Sequence, residues 1–243
     1  MGVGYSVSPL HRIIYLNTSA MTTRPPVKGS DSPVDLIAEQ SGAKIANEGM
    51  VRFNSPTLED VIAWRERLAT QYRDQLQEPL TWDEGSPFET SEDVATHGDV
   101  LFRYVAAVLD QRGPFELRKL INLGDPSSQE LDAAFAEASR RSFGGRFPHL
   151  LLGAKVWLPF KSQLMIEEPN WRGHLDRYGS VFHLVDEITA VRAGIVDAQP
   201  SAVHLPAAET SDEIMVSAWQ TSDTILRLAT IGAAKHLPLW TTG

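Results

Sequence analysis

The sequence predicts an α+β fold that is mainly helical, with a small antiparallel sheet formed largely by the second half of the chain. Several segments repeat apolar residues at three- and four-residue spacing, as one face of an amphipathic helix does. Candidate strands cluster between helices in the second half, and the βαβ alternation of a doubly wound parallel sheet is missing. The 243 residues are 42% hydrophobic and 22% charged, which is sufficient for a packed core.

The chain divides by composition into two parts. Residues 1–33 are expected to form an N-terminal arm and linker, and residues 34–243 a single globular domain. The linker prediction depends on residues 22–33, where a Pro-Pro pair that stiffens the chain is followed by Gly and Ser, which loosen it.

Two helices are predicted on either side of a turn-rich loop. The first runs from about Thr57 to Leu76, after a proline suited to a helix start and before a proline that ends it. The second is expected to begin near Ser91, whose hydroxyl can cap it. Glu92 and Asp93 would then lie in the first turn, where the helix dipole favours carboxylates.

Capping patterns and alternation predict the remaining elements. Ser127 and Glu130 form a capping box that predicts a third helix as far as about Phe143. The others follow in chain order: an antiparallel strand pair at 149–158 and 163–168, a third strand at 172–177, helices at 180–192 and 210–235, and an edge strand in the tail.

Charge is concentrated in one stretch, Asp74–Phe102, which we call the acid-rich segment. It has eight acids and no Lys or Arg, in a chain of net charge −9. The electrostatic field of so many carboxylates attracts basic surfaces and repels phosphate backbones, so we expect a basic protein partner and no nucleic acid.

No apolar run approaches the roughly 20 residues that span a bilayer, so no membrane association is expected. The absence of cysteine is consistent with a cytoplasmic location.

The loop within the acid-rich segment is the predicted partner surface. Aromatic rings among carboxylates suit protein recognition, because the rings supply contact area and the acids steer a basic partner. The alternative is that the rings of Trp82 and Phe88 fold back onto the protein and anchor the loop. The predicted contact residues are Trp82, Asp83, Glu84, Phe88 and Glu89.

No common catalytic motif is present. The chain lacks a P-loop, a G-x-G-x-x-G fingerprint, a G-x-S-x-G elbow and an H-E-x-x-H pair, and no cofactor is expected. One alternative site remains, since His174 and Asp176 alternate on a predicted strand and His183 and Glu187 lie one turn apart on a predicted helix. If the two elements pack together, these four side chains could bind Zn, Mn or Fe.

The sequence therefore favours a non-catalytic acidic protein that occludes a basic protein partner such as a toxin. Its general character, acidic, free of cysteine and without a catalytic motif, resembles that of bacterial immunity proteins and antitoxins. Two alternatives stay open: a metal-dependent enzyme with the His/carboxylate site, and a structural or oligomeric scaffold domain.

Overall fold

The computed structural model describes residues 2–12, 44–45, 51–52, 57–121, 125–141, 144–170, 174–203 and 214–242. Its strands are β1 (Gly2–Val7), β2 (Lys44–Ile45), β3 (Val51–Arg52), β4 (Thr90–Ala95), β5 (Val156–Leu158), β6 (Ile166–Pro169), β7 (Leu175–Ser180) and β8 (Leu239–Thr242). Its α-helices are α1 (Leu58–Gln71), α2 (Thr96–Arg112), α3 (Pro114–Leu117), α4 (Ser128–Arg141), α5 (Pro148–Leu151), α6 (Val181–Ala198) and α7 (Ile214–Lys235). Short 3₁₀ turns follow α3 at Arg118–Leu120 and α6 at Pro200–Val203. The α+β class is confirmed.

The main sheet is larger than expected and mixed. Its six strands lie in the order β4-β1-β8-β5-β7-β6, and β2 and β3 form a separate two-stranded pair. All neighbours in the main sheet are antiparallel except β5 and β7, which are parallel. The prediction of an antiparallel sheet formed largely by the second half is therefore wrong in detail, because both ends of the chain contribute strands.

The N-terminal strand β1 lies inside the sheet, not in a peripheral arm. It pairs with β4 on one side and with β8 on the other. Tyr5 and Val7 are fully buried. Residues 2–12 thus belong to the main domain, because β1 completes the hydrogen bonding of two other strands. The predicted linker at 22–33 lies outside the described residues.

Helices cover the sheet on two faces. On one face Tyr5 stacks on Trp157 at 6.3 Å, and its hydroxyl donates to Asp99 of α2 at 2.5 Å. The helices α2, α6 and α7 pack against one another on that side. Successive residues of a strand point to opposite faces of the sheet. Tyr178 of β7 lies on the face opposite to that of Tyr5 and Trp157, where the Trp64 ring of α1 lies 5.1 Å from it.

Local capping explains why several helices begin where they do. The Thr57 side chain accepts from the Asp60 backbone, and the Asp60 carboxylate accepts from the Thr57 backbone in return. Ser127 and Glu130 make the same reciprocal contacts ahead of α4, as predicted. Ser180 caps α6 by accepting from the His183 backbone at 3.2 Å.

Three predicted elements are corrected. Residues 90–95 are strand β4 and not a helix start, because they pair with β1 along their whole length. Within 149–158, Pro148 opens the short helix α5, and only Val156–Leu158 is a strand. The tail strand β8 is central and not an edge, since it lies between β1 and β5.

Candidate functional site

The loop at 81–89 does not expose its tryptophan. Trp82 is 5% exposed, and the Arg65 guanidinium of α1 lies 5.3 Å from its ring centre. Arg65 also donates to the Trp82 carbonyl at 2.6 Å. The Trp82 indole N–H donates to the Glu84 carboxylate, which is itself only 5% exposed. The expectation that Trp82 and Glu84 form an exposed contact surface is therefore wrong: these two side chains anchor the loop.

The residues that follow β1 contact the carboxylates of this loop. One Glu84 oxygen accepts from the His11 backbone at 3.1 Å and lies 2.9 Å from His11 Nδ1. Arg12 donates to Glu89 at 2.7 Å. Phe88 is half-buried against the core, with the Lys235 ammonium 5.3 Å from its ring. Of the five predicted contact residues, Asp83 and Glu89 are the exposed ones.

Similar contacts with basic side chains occur along the acid-rich segment. Five of its eight carboxylates lie against a basic side chain: Glu78 against Lys161 at 3.4 Å, Glu84 against His11, Glu89 against Arg12, Glu92 against Arg227, and Asp99 against Arg103 at 3.0 Å. Asp74, Asp83 and Asp93 are exposed and form no ion pair with any residue that the structure describes. The charge concentration of the sequence is thus much weaker in space than along the chain.

Asp99 belongs to a buried polar network that joins three elements. It accepts from Tyr5 of β1 and from Arg103 one turn further along α2. Arg103 also donates to the Leu150 carbonyl of α5 at 2.6 Å. Burial raises the pKa of Tyr5, so this phenol stays protonated. The network fixes α2 to the sheet, and every contact in it is intramolecular.

The four candidate metal ligands do not gather. His174 is exposed at the start of β7, and its backbone N–H donates to the Asn170 side chain at 3.1 Å. Asp176 accepts from the same asparagine at 2.6 Å. His183 and Glu187 lie on α6, and Glu187 points towards α5 instead of β7. Within the described ranges, no three His, Asp or Glu side chains are placed to hold a metal ion.

Glu187 instead forms a buried corner with the first turn of α5. Its two oxygens accept from the backbone N–H groups of His149 at 3.1 Å and Leu150 at 2.8 Å. Burial raises the pKa of Glu187 to about 8, while the two N–H groups oppose that shift because they favour the charged form. The carboxylate supplies the acceptors that the helix start requires.

His149 is the second member of this corner. It is 1% exposed, and its Nδ1 accepts from the Ser180 backbone at 2.9 Å, so the ring proton is on Nε2. Its ring stacks on that of His183 at 5.3 Å with the planes 13° apart. Burial, and to a smaller extent the neighbouring His183, lowers the pKa of His149 to about 3. Nε2 approaches the Gln163 backbone without reaching hydrogen-bond geometry. We call His149, His183 and Glu187 the histidine corner.

Sequence reasoning missed His149. The residue lies in the apolar run His149–Leu152, which resembles a buried strand and gives no sign of a polar role. Pro148 was the available signal, because a proline suits the first position of a helix, and it is where α5 begins.

Two cavities share Gln77 as a lining residue, and we call the pair the Gln77 groove. A cavity of about 500 Å³ is lined by Gln77, Lys161, Gln163, Phe182, His183, Val185, Asp186 and Ala233. A second, of about 640 Å³, is lined by Glu66, Ala69, Thr70, Arg73, Gln77, Glu78, Pro79, Leu80 and Thr81. The two cavities are thus lined by α1, the turn after it, α6 and α7, and His183 belongs both to the lining of the first cavity and to the histidine corner.

Comparisons of the chain with protein-family models, curated proteins and solved structures gave no match. Among the helices that the structure describes, none has the length and apolar character needed to cross a membrane.

Proposed function

We propose that this chain is a non-catalytic cytoplasmic binding protein that occludes a basic protein partner, in the manner of bacterial immunity proteins and antitoxins. The observation that carries the proposal is the set of exposed carboxylates in the acid-rich segment, Asp74, Asp83 and Asp93, which form no ion pair within the described ranges. An exposed carboxylate without a neighbouring cation keeps its field in solution and accelerates encounter with a basic surface.

The proposed contact surface is smaller than the five residues expected from the sequence. Trp82 and Glu84 are excluded from direct contact because they are buried. Glu89 is exposed but already holds Arg12, so it contributes less to the outward field. Asp83 therefore remains the best predicted contact in the loop, and its carboxylate also accepts from the Gly85 backbone at 2.8 Å.

A matched pair of triple variants tests the proposal. Asp74→Asn/Asp83→Asn/Asp93→Asn removes the three unpaired charges, and Asn at position 83 retains an acceptor for Gly85. Glu59→Gln/Asp132→Asn/Asp197→Asn removes three exposed charges elsewhere. We expect the wild-type protein to retain one stoichiometric basic protein from extract of its own cells. Association should slow as NaCl rises from about 50 to about 500 mM.

The first triple variant should associate about tenfold more slowly with the captured protein, since exposed charges act mainly on the association rate. The second triple variant should associate as fast as the wild type. Capture of no protein, or equal rates for the two triple variants, would contradict the proposal.

A further inference from the structure

We propose that the outer edge of β4 binds an extended, basic segment of the partner, which adds a seventh strand to the six-stranded sheet. The nature of the ligand rests on the proposed function above. The location rests on the hydrogen-bonding geometry of β4 and on its charge.

The strand β4 lies at one edge of the sheet. It pairs with β1 at every position from Thr90 to Ala95, and in the part of the chain that the structure describes no strand pairs with its other side. Its main contacts with helices are those with α2 and α7. An edge of this kind presents a row of unpaired N–H and C=O groups, to which an extended polypeptide can add as a further strand.

The pairing of β1 shows which backbone groups of β4 point outwards. Residues of a central antiparallel strand bond alternately to one neighbour and to the other. The Ser8 N–H donates to the Pro238 carbonyl at 3.3 Å, directly after the pairing of Val7 with Leu239. The even-numbered residues of β1 therefore bond towards β8, and its odd-numbered residues bond towards β4.

The register then assigns the groups of β4 itself. Odd-numbered residues of β1 lie opposite even-numbered residues of β4. The Val94 carbonyl oxygen agrees with this assignment, since it lies 3.1 Å from where a Cβ on Gly2 would be and so points towards β1. The N–H and C=O groups that point away from the sheet are thus those of Ser91, Asp93 and Ala95.

The residues with outward-pointing backbone groups are also the exposed ones. Ser91, Asp93 and Ala95 are exposed, whereas the even-numbered residues of β4 are half-buried or buried. Arg227 of α7 contacts Glu92, so α7 covers the face to which the even-numbered side chains point. A strand added along Ser91–Ala95 would therefore meet backbone groups that solvent can reach.

Charge favours a basic strand over a second copy of this chain. Asp93 is the central residue of the outward row and forms no ion pair within the described ranges. Opposite charges directly across a strand pair stabilise a sheet, and like charges there destabilise it. Two copies of β4 paired antiparallel through all three outward residues would bring their Asp93 side chains face to face. A Lys or Arg opposite Asp93 is favoured instead.

The alternation of β4 also specifies the other residues of the ligand. Residues opposite the outward row would lie on its exposed face, and the residues between them would lie beside Val94, on the face covered by α7. Val94 is 6% exposed and belongs to the apolar core. The segment that fits best thus alternates Lys or Arg with apolar, β-branched residues.

Hydrogen exchange of the β4 amides tests strand addition directly. The probe is the peptide acetyl-Val-Lys-Val-Lys-Val-Lys-Val-amide, and the control peptide has Glu in place of each Lys. In the free ¹⁵N-labelled protein the even-numbered amides of β4 should exchange slowly and the odd-numbered amides fast. The Lys peptide should slow exchange at Ser91, Asp93 and Ala95 at least about tenfold, because each N–H becomes hydrogen-bonded. The Glu peptide should leave their exchange unchanged.

Two matched pairs of variants separate strand pairing from general attraction. Ser91→Pro removes one outward N–H, a change that an edge strand tolerates, and should weaken binding of the Lys peptide at least about tenfold. Ser91→Ala keeps the N–H and should bind as the wild type does. Asp93→Asn leaves the backbone unchanged, so it tests the charge apart from any folding defect at position 91, and should weaken binding about threefold. Asp197→Asn removes an exposed charge elsewhere and should not.

Four results would overturn the proposal. Slow exchange of the odd-numbered amides in the free protein would show that the edge is already covered, by a second copy if protection rises with protein concentration. The others are no protection by the Lys peptide, equal protection by the Glu peptide, and unchanged affinity in both Ser91→Pro and Asp93→Asn.

The outcome for the proposed function is separate. It would stand after any of these results if the Asp74/Asp83/Asp93 variant still associated more slowly with the captured protein. Capture of no protein, together with protection by the Lys peptide, would overturn the proposed function and leave the β4 edge as a site for basic extended segments.

Discussion

Glu84 in the acid-rich segment and Glu187 in the histidine corner are both buried, but their carboxylates are satisfied in different ways. Glu84 accepts from groups distant in sequence or on side chains, namely the backbone and ring of His11 and the indole of Trp82. Glu187 accepts only from two consecutive backbone N–H groups at a helix start. The first carboxylate ties the segment after β1 to a loop, and the second caps the start of a helix inside the core.

The number of acidic residues in a stretch of sequence is therefore a poor guide to the negative charge at a protein surface. In the acid-rich segment five of the eight carboxylates lie against a basic side chain, and three exposed aspartates form no ion pair among the described residues. In the histidine corner a single acid lies among apolar residues, where burial changes its protonation. The local density of acids therefore matters less than what each one faces.

The largest effect is expected in the histidine corner. Glu187→Ala leaves the N–H groups of His149 and Leu150 unpaired in the core and opens a small cavity. Together these should lower the free energy of unfolding by about 3 kcal/mol. Urea denaturation measures the change, and a loss below about 1 kcal/mol would show that the corner is hydrated or able to collapse.

The pH dependence of stability provides the control for this variant. The folded pKa of Glu187 is about 8 and its ordinary value is 4.5, so between these pH values the folded state holds a proton that the unfolded state has released. This group's contribution to stability is full below pH 4.5 and is lost as the pH rises towards 8. Glu187→Gln cannot ionise, so its stability should fall less over this window than that of the wild type. Parallel pH profiles for the two proteins would contradict the raised pKa.

A smaller effect is expected for the buried carboxylate of the acid-rich segment. Glu84→Ala removes the acceptor of the Trp82 indole and of the His11 backbone, which should cost about 2 kcal/mol. The His11 ring is partly exposed and can find water, so the loss should be less than in Glu187→Ala. Because the chain has six tryptophans, the Trp82 signal is the part of the emission that Trp82→Phe removes, and in Glu84→Ala it should shift to the red as the loop loosens. An unchanged difference spectrum would mean that Trp82 does not depend on Glu84.

The smallest effect is expected at the exposed pair in the same loop. Glu89→Gln breaks the contact with Arg12, and both side chains are partly solvated, so we expect a loss of at most about 0.5 kcal/mol that vanishes in high salt. Thermal denaturation at low and high NaCl tests this. A large, salt-independent loss of stability would show that the loop and the segment after β1 depend on this pair. Glu84 and Glu89 would then not differ in their contribution to stability.

The sequence predicted the helices whose capping residues lie at their own starts. It did not predict the elements that form through contacts with residues distant in the chain. Thr57, Ser127 and Ser180 cap helices close to the predicted starts, because capping depends on residues within one turn. Ser91 gives the same local signal, yet β4 forms there, since pairing with β1 satisfies more backbone groups than a cap does. No local pattern could reveal a partner strand more than 80 residues away.

The candidate sites likewise combine features visible in the local sequence with features that depend on distant contacts. The acid-rich segment was visible as a composition, but the burial of Glu84 depends on His11, which sequence alone does not place. The histidine corner requires α5 to lie against α6, and the Gln77 groove requires the turn after α1 to meet α6 and α7. Both are tertiary features: the sequence singled out His183 and Glu187 of the corner but not His149, and it did not predict the groove.

The position of β8 has a consequence for how this protein is made. The strand lies between β1 and β5, so it joins two halves of the sheet that are otherwise not paired with each other. During synthesis β1 must wait for a segment more than 230 residues later before its second edge is covered. The nascent chain therefore exposes two unpaired strand edges until β8 has been synthesised, a state that favours chaperone binding and slow, late closure of the sheet.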